Sequence, residues 1–170
     1  IECPNCKMPA RVFTWITGNT FGARRWTDGK MIAPNLPIPP AITRCKGCDG
    51  YFWLSDAKVI GEMAPWDLKT SENPDEWKTA EHVRELSETE YLEAIHMGVA
   101  RNKKQELHLR IGAWWANNDP LRFSGQDPSK PPNTSPPRAT AAIANLECLL
   151  EQLGTENPNE RLMKAEVARE

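Results

Sequence analysis

Cys3-Pro4-Asn5-Cys6 near the start of the chain and Cys45-Lys46-Gly47-Cys48 further on decide how this sequence folds. A two-residue spacer lets a tight knuckle aim two sulfurs at one ion, and a distant second pair completes a tetrahedron. Cys3, Cys6, Cys45 and Cys48 are therefore read as the ligands of one structural zinc ion. With four protein ligands no position stays open for water, so the metal is expected to hold structure and not to catalyse. The rival reading is two redox-active disulfides, because Cys3-Pro4-Asn5-Cys6 alone has a thioredoxin-type spacing. It lacks the βαβ context of such motifs, and a second pair would be superfluous.

Outward from the first pair, Val12, Thr14 and Ile16 alternate with Phe13 and Trp15, a period-two pattern that predicts a strand covered on both faces. Gly18-Asn19 marks a turn. Asp28-Gly29, between Arg25-Trp26-Thr27 and Lys30-Met31-Ile32, predicts a two-residue hairpin turn of type I′, with positive φ at both central positions. Pro34, Pro37, Pro39 and Pro40 then predict an extended connector back to the second pair. Gly47 and Gly50 suit the second knuckle, where the first has Lys7-Met8, and Tyr51 to Leu54 reads as the strand leaving it. Residues 7–44 are a longer insert than the roughly 15–20 residues of compact four-cysteine modules.

From Ser87 the period changes. Ser87-x-x-Glu90 is a capping box, followed by Leu92, Ile95 and Val99 at helical spacing and a break at Asn102. A second helix is expected over 103–117, with Leu107, Ile111, Trp114 and Trp115 along its apolar stripe. Six prolines between 119 and 138 predict a loop. A third helix from Ala139 turns Ile143, Leu146, Leu150 and Leu153 inward and stops at Gly154. Asn157-Pro158-Asn159-Glu160 starts a fourth, with Leu162, Met163 and Val167 on its apolar face. The expected fold class is α+β: a zinc-ribbon-like β domain over 1–62, a linker over 63–86, and a helical region over 87–170.

At 170 residues, 39% hydrophobic and 26% charged, the composition is that of an ordinary globular chain. Residues 1–70 carry nine Lys/Arg against six Asp/Glu, and residues 71–170 carry twelve against seventeen. That front-end basicity is slight for a nucleic-acid-binding domain. The longest apolar runs are too short to span a bilayer, and no signal-peptide pattern is visible. Ile1 is not an initiator Met, so a trimmed N-terminus is expected, and the last helix runs to Glu170 without a stop signal. Thiolate–zinc chemistry with an odd cysteine, Cys148, suits a reducing compartment, so a cytoplasmic location is expected.

The order of "CPNC", "GNTFGARRWTDGKMIAP", "CKGC" before "DGYFWL", "EYLEAI" and "AWWANNDPLR" is similar to a group of uncharacterised bacterial proteins. That resemblance implies an N-terminal zinc-ribbon-like region and a helical region of tetratricopeptide type. It carries no activity over to this chain, and no 34-residue self-similarity is visible.

Other candidate chemistry is thin. Arg24-Arg25-Trp26 with Phe13, Trp15, Phe21 and Trp53 has the mix of cations and rings that single-stranded nucleic acid uses. The plainer reading puts the rings in the ribbon's own core and leaves the arginines solvated. Glu93-x-x-His96 resembles half of a carboxylate di-iron motif, but Gln105 stands three residues before His108 where a second glutamate is needed, so a helix-surface histidine is expected. Cys148 reads as a structural thiol. No nucleophile elbow, phosphate loop or dinucleotide fingerprint is present. Trp114 and Trp115 point about 100° apart on a helix, so one is expected to reach the ribbon or a partner. The function expected from the sequence is a non-enzymatic binding or scaffold role toward another protein or peptide, with nucleic-acid binding by the ribbon as the alternative and no membrane association.

Overall fold

The computed structural model describes residues 1–64, 73–123 and 138–170. The chain is α+β and forms two compact units: Ile1–Phe21 with Pro34–Glu85, and Gly22–Ala33 with Leu86–Glu170. The expected loop over 119–138 lies outside the described residues from 124 to 137, and the expected linker does so over 65–72.

In the first unit, β3 (Ile42–Arg44) pairs antiparallel with β4 (Tyr51–Trp53), with Thr43 opposite Phe52. All three residues of β4 are buried, as are Ile42 and Thr43. A single 3-10 turn, Leu54–Asp56, ends β4. The remainder of the 63–86 stretch is not a free linker. It carries α1 (Asp75–Thr79), and the residues after it are bonded into the unit. Arg11 N–H donates to Glu81 O at 2.8 Å, and Val83 N–H donates to Arg11 O at 2.9 Å. The Thr43 hydroxyl donates to Arg84 O at 3.0 Å. These bonds need residues far apart in sequence, which is why local composition did not reveal them.

The strand expected over Val12–Ile16 does not form; Arg11 makes one isolated parallel bridge to His82 and the pattern stops there. Phe13, Trp15 and Ile16 are exposed, at 57%, 53% and 100%. Alternation alone cannot make a strand where no neighbouring edge supplies the ladder.

The second unit begins with a hairpin, β1 (Arg24–Arg25) and β2 (Met31–Ile32), in the register Arg24↔Ile32 and Arg25↔Met31. The turn differs from type I′. Gly29 alone has positive φ, +84°. Gly29 N–H donates to Trp26 O at 3.0 Å and Trp26 N–H to Lys30 O at 2.9 Å, so the loop has three residues ending in a left-handed glycine. The Asp28 carboxylate selects this form by accepting the Lys30 N–H at 3.1 Å. A Cβ on Gly29 would stand 2.8 Å from Met163 Sδ. Gly29→Ala therefore combines backbone strain with a clash, and is expected to destabilise the second unit by about 1–3 kcal/mol in urea unfolding.

The helices follow as α2 (Glu88–His96), α3 (Lys103–Phe123), α4 (Thr140–Gln152) and α5 (Pro158–Arg169), each packed on the next. The capping box at Ser87 is complete, with Glu90 N–H donating to Ser87 Oγ and Glu90 Oε2 accepting the Ser87 N–H at 2.9 Å. Asn102 caps α3 by accepting the Gln105 N–H at 3.0 Å. Asn157 caps α5 with Pro158 at the first helical position. The core joins Trp114, Leu146, Leu149, Leu153, Met163 and Val167. Ile143 and Leu162, expected on apolar faces turned inward, are about half exposed at 47% and 52%.

Two boundaries also moved. α2 ends where Gly98 takes a φ of +67°, with Gly98 N–H donating to Ile95 O and Val99 N–H to Ala94 O, a Schellman stop that excludes Val99 from the helix. α3 runs through Pro120 to Phe123 in place of ending at Asn117. Proline lacks the N–H and crowds the preceding turn. Side chains hold the turn beyond it: Arg122 donates to Trp115 O at 2.7 Å and pairs with both Asp119 and Asp28.

His108 on α3 supplies a pH test. Burial holds its imidazolium below the ordinary 6.5. The folded state therefore binds fewer protons than the unfolded chain, and this contribution is complete above 6.5 and is lost as pH falls through the lowered value. His108→Gln is expected to flatten the fall in urea midpoint on acidification, relative to wild type at equal metal content.

Candidate metal centre

Two backbone knuckles of the first unit deliver the four cysteines. Cys3 N–H donates to Met8 O and Cys45 N–H donates to Gly50 O, both at 2.9 Å, so each pair sits in the same kind of closed turn. The residue after the second cysteine is left-handed in both: Lys7 at φ 65° and Asp49 at φ 55°. The glycines of the second knuckle thus have another role than positive φ. A Cβ on Gly47 would meet Met8 Sδ at 2.6 Å, and one on Gly50 would meet Asn5 Nδ2 at 2.9 Å. They make room for the facing knuckle, which explains why the first knuckle needs no matching glycine.

The four sulfurs all lie within 4.8 Å of one another and form a group that can hold a metal ion. Cys6 Sγ stands 3.5 Å from Cys45 Sγ, and Cys3 Sγ stands 3.9 Å from Cys48 Sγ. Four sulfurs about 2.3 Å from a central zinc would be about 3.8 Å apart. These separations exceed the ~2.05 Å of a disulfide, and no cysteine is bridged. Cys3 and Cys45 are buried while Cys6 and Cys48 are exposed. The buried pair belongs to the unit's small apolar cluster with Phe52, flanked by Ile1, Leu54 and Ala57.

The electrostatics favour a cation. The Met8 N–H holds the Cys6 thiol down at about 7. Burial pushes Cys45 up to about 12. Four neighbouring thiolates cannot all ionise at neutral pH without a positive charge among them. Gly47 N–H already points at Cys45 Sγ, 3.4 Å away, as a donor to an anionic sulfur. The donor set fits a soft, tetrahedral ion with a closed coordination shell.

A groove of about 690 Å³ adjoins the centre, with Met8, Thr43, Lys46, Glu81, His82 and Arg84 among its lining. Phe13 stacks on His82 with ring centroids 4.4 Å apart. Lys46 pairs with Glu81, which closes charge across the groove.

The other sequence candidates fall as follows. Trp53 is buried, as the plainer reading expected, whereas Phe13, Trp15 and Phe21 are exposed and form no core. Trp26 belongs to the second unit, where the Arg122 guanidinium lies 5.5 Å from its ring centre. Arg24 and Arg25 are exposed on β1 of that unit. His96 and Glu93 are exposed on α2. Trp114 is buried and donates to Glu170 Oε2 at 2.7 Å. Trp115 reaches the Asp-Gly hairpin, donating to Asp28 O at 2.9 Å.

Sequence reasoning missed one cluster entirely. Asp28, Lys30 and Asn118 are buried polar residues. Lys30 Nζ donates to Asp119 Oδ2 at 2.8 Å and Asn118 Nδ2 to Asp28 Oδ2 at 3.2 Å, while Arg122 pairs with both carboxylates. The only available signal was two stretches dense in aromatic and charged residues, "RRWTDGK" and "AWWANNDPLR", which are now seen to meet.

Comparison with protein-family models, with curated proteins and with solved structures finds no match for this chain. No described helix is long and apolar enough to cross a membrane.

Proposed function

We propose that this chain is a zinc-stabilised binding or scaffold protein that acts through protein–protein interaction. The observation that supports it best is the row of exposed large side chains in the first unit. Phe13, Trp15, Ile16 and Phe21 are between 53% and 100% exposed within nine residues of chain. Among the described residues Ile16 and Phe21 join neither the cluster around Trp114 nor that around Phe52, and Phe13 stands by the groove through its stack on His82. Rings and aliphatics so displayed are costly in water and are typical of protein contact sites. The structural zinc would hold the small scaffold that presents them.

The alternative, nucleic-acid binding by the ribbon, has weaker support. The first unit carries eight Lys/Arg against ten Asp/Glu, and Arg24 and Arg25 belong to the other unit. A stacking platform without net positive charge lacks its electrostatic half.

The test is affinity capture from an extract of the source cells, with wild type and a Trp15→Ala/Phe21→Ala variant compared by quantitative mass spectrometry. Both positions are exposed, so the variant is expected to fold and keep its metal. Specific proteins retained by wild type and lost by the variant would support the reading. Identical retained sets would contradict it. Salt-sensitive binding of the same protein to oligonucleotides would favour the alternative instead.

A further inference from the structure

The chain passes through the metal unit twice. Residues 7–44 start beside Cys6 and end beside Cys45, so an ion held by both cysteines closes this segment into a loop. The middle of the loop, Gly22–Ala33, belongs to the helical unit and not to the unit that holds the cysteines. Its tip is firmly held there: Asp28 is 4% and Lys30 7% exposed, and both are bonded to α3 side chains.

The two legs of the loop are joined to each other within the first unit. Asn35 Nδ2 donates to Phe21 O at 3.3 Å and to Asn19 Oδ1 at 3.5 Å, and Asn19 N–H donates to Asn35 O at 3.4 Å. Gly18 lies so close to the returning leg that a Cβ there would stand 2.5 Å from Leu36 Cδ1. Zipped legs of this kind hand order at the loop's ends on to its middle.

We infer that metal occupancy at Cys3, Cys6, Cys45 and Cys48 is linked to the stability of the helical unit through this inserted hairpin. The inference rests on the reading of the four thiolates as a metal site. Closing the loop at its ends removes conformational freedom that the hairpin would otherwise lose on docking against α3 and α5. Docking the hairpin likewise preorganises the loop that brings the two cysteine pairs together. Linkage makes the two effects equal: the factor by which metal stabilises the docked hairpin is the factor by which docking raises metal affinity.

The experiment combines amide hydrogen exchange of wild type, with and without bound metal, with zinc affinities measured against a competing chelator. Removing the metal is expected to speed exchange in α3, α4 and α5, and not only around the knuckles. Asp28→Asn is expected to keep one zinc per chain but bind it at least fivefold more weakly, within the ~5–150-fold range of such couplings. Should Asp28→Asn unfold the helical unit, its zinc affinity then gives the fully uncoupled value, and Trp115→Phe, which removes the indole N–H from Asp28 O and part of the ring that packs on the core, supplies the second variant. Exchange in α3–α5 indifferent to bound metal, with Asp28→Asn at wild-type zinc affinity, would overturn the linkage while leaving the metal site standing. Failure of every form to bind a metal would overturn both.

Discussion

Replacing Cys45 with serine is expected to abolish stable metal binding and unfold the first unit. Cys45 is 6% exposed and shares the unit's apolar cluster with Cys3 and Phe52, so its sulfur serves both packing and coordination. Among the described residues the unit's sheet has two strands of three residues each, little apolar surface for a comfortable fold by itself. A closed four-thiolate zinc site can contribute an apparent ~10–16 kcal/mol at neutral pH. That matches or exceeds the ~5–15 kcal/mol by which whole domains are stable. Near-ultraviolet circular dichroism and the fluorescence of buried Trp53 should show the loss, while far-ultraviolet helical signal persists with a lowered midpoint. Cys148→Ser, on α4 and outside the group, is expected to leave metal content unchanged.

Asp28→Ala is expected to destabilise the helical unit by about 3–5 kcal/mol, the usual effect of removing one member of a buried ion network. The Asp28 carboxylate is 4% exposed and takes the Arg122 guanidinium, the Asn118 amide and the Lys30 N–H together. Burial already lowers the pKa of Arg122, so its charge depends on the carboxylates around it. Without Asp28, Arg122 loses one of the carboxylates around it and keeps Asp119 and the more distant charge of Glu170, while Lys30 keeps its pair with Asp119. The urea midpoint of the far-ultraviolet signal measures the effect. A loss below ~1 kcal/mol would mean that water or a rearranged side chain replaces the carboxylate.

What could be read in advance was chemistry confined to a few neighbouring residues. Ser87 with Glu90, and Asn157 with Pro158, satisfy helix N–H groups within one turn, and both caps form as expected. The cysteine pairs likewise announce their knuckles, and all four sulfurs meet. Asp28-Gly29 announced a hairpin, but not its loop type, because the Asp28 side chain selects a three-residue form.

Long-range choices were illegible. Nothing local says that Gly22–Ala33, between the cysteine pairs and within the ribbon domain expected over 1–62, groups with helices more than fifty residues away. Nor does it say that Pro120 can sit inside α3, which depends on Arg122 meeting carboxylates from two elements. Phe13 to Ile16 alternate like a strand, but a strand also needs an edge to pair with, and that edge is a property of the fold. The left-handed Lys7 and Asp49 were hidden because glycine is the usual mark of that conformation.

Native mass spectrometry of the purified protein, before and after chelation, tests the metal centre most directly. The expected spectrum shows one zinc ion per chain, and chelation yields a metal-free chain with the broad charge distribution of an unfolded first unit. A folded, metal-free chain with intact thiols, or one lighter by the hydrogens of two disulfides, would contradict the account, and a single iron in place of zinc would overturn the metal's identity.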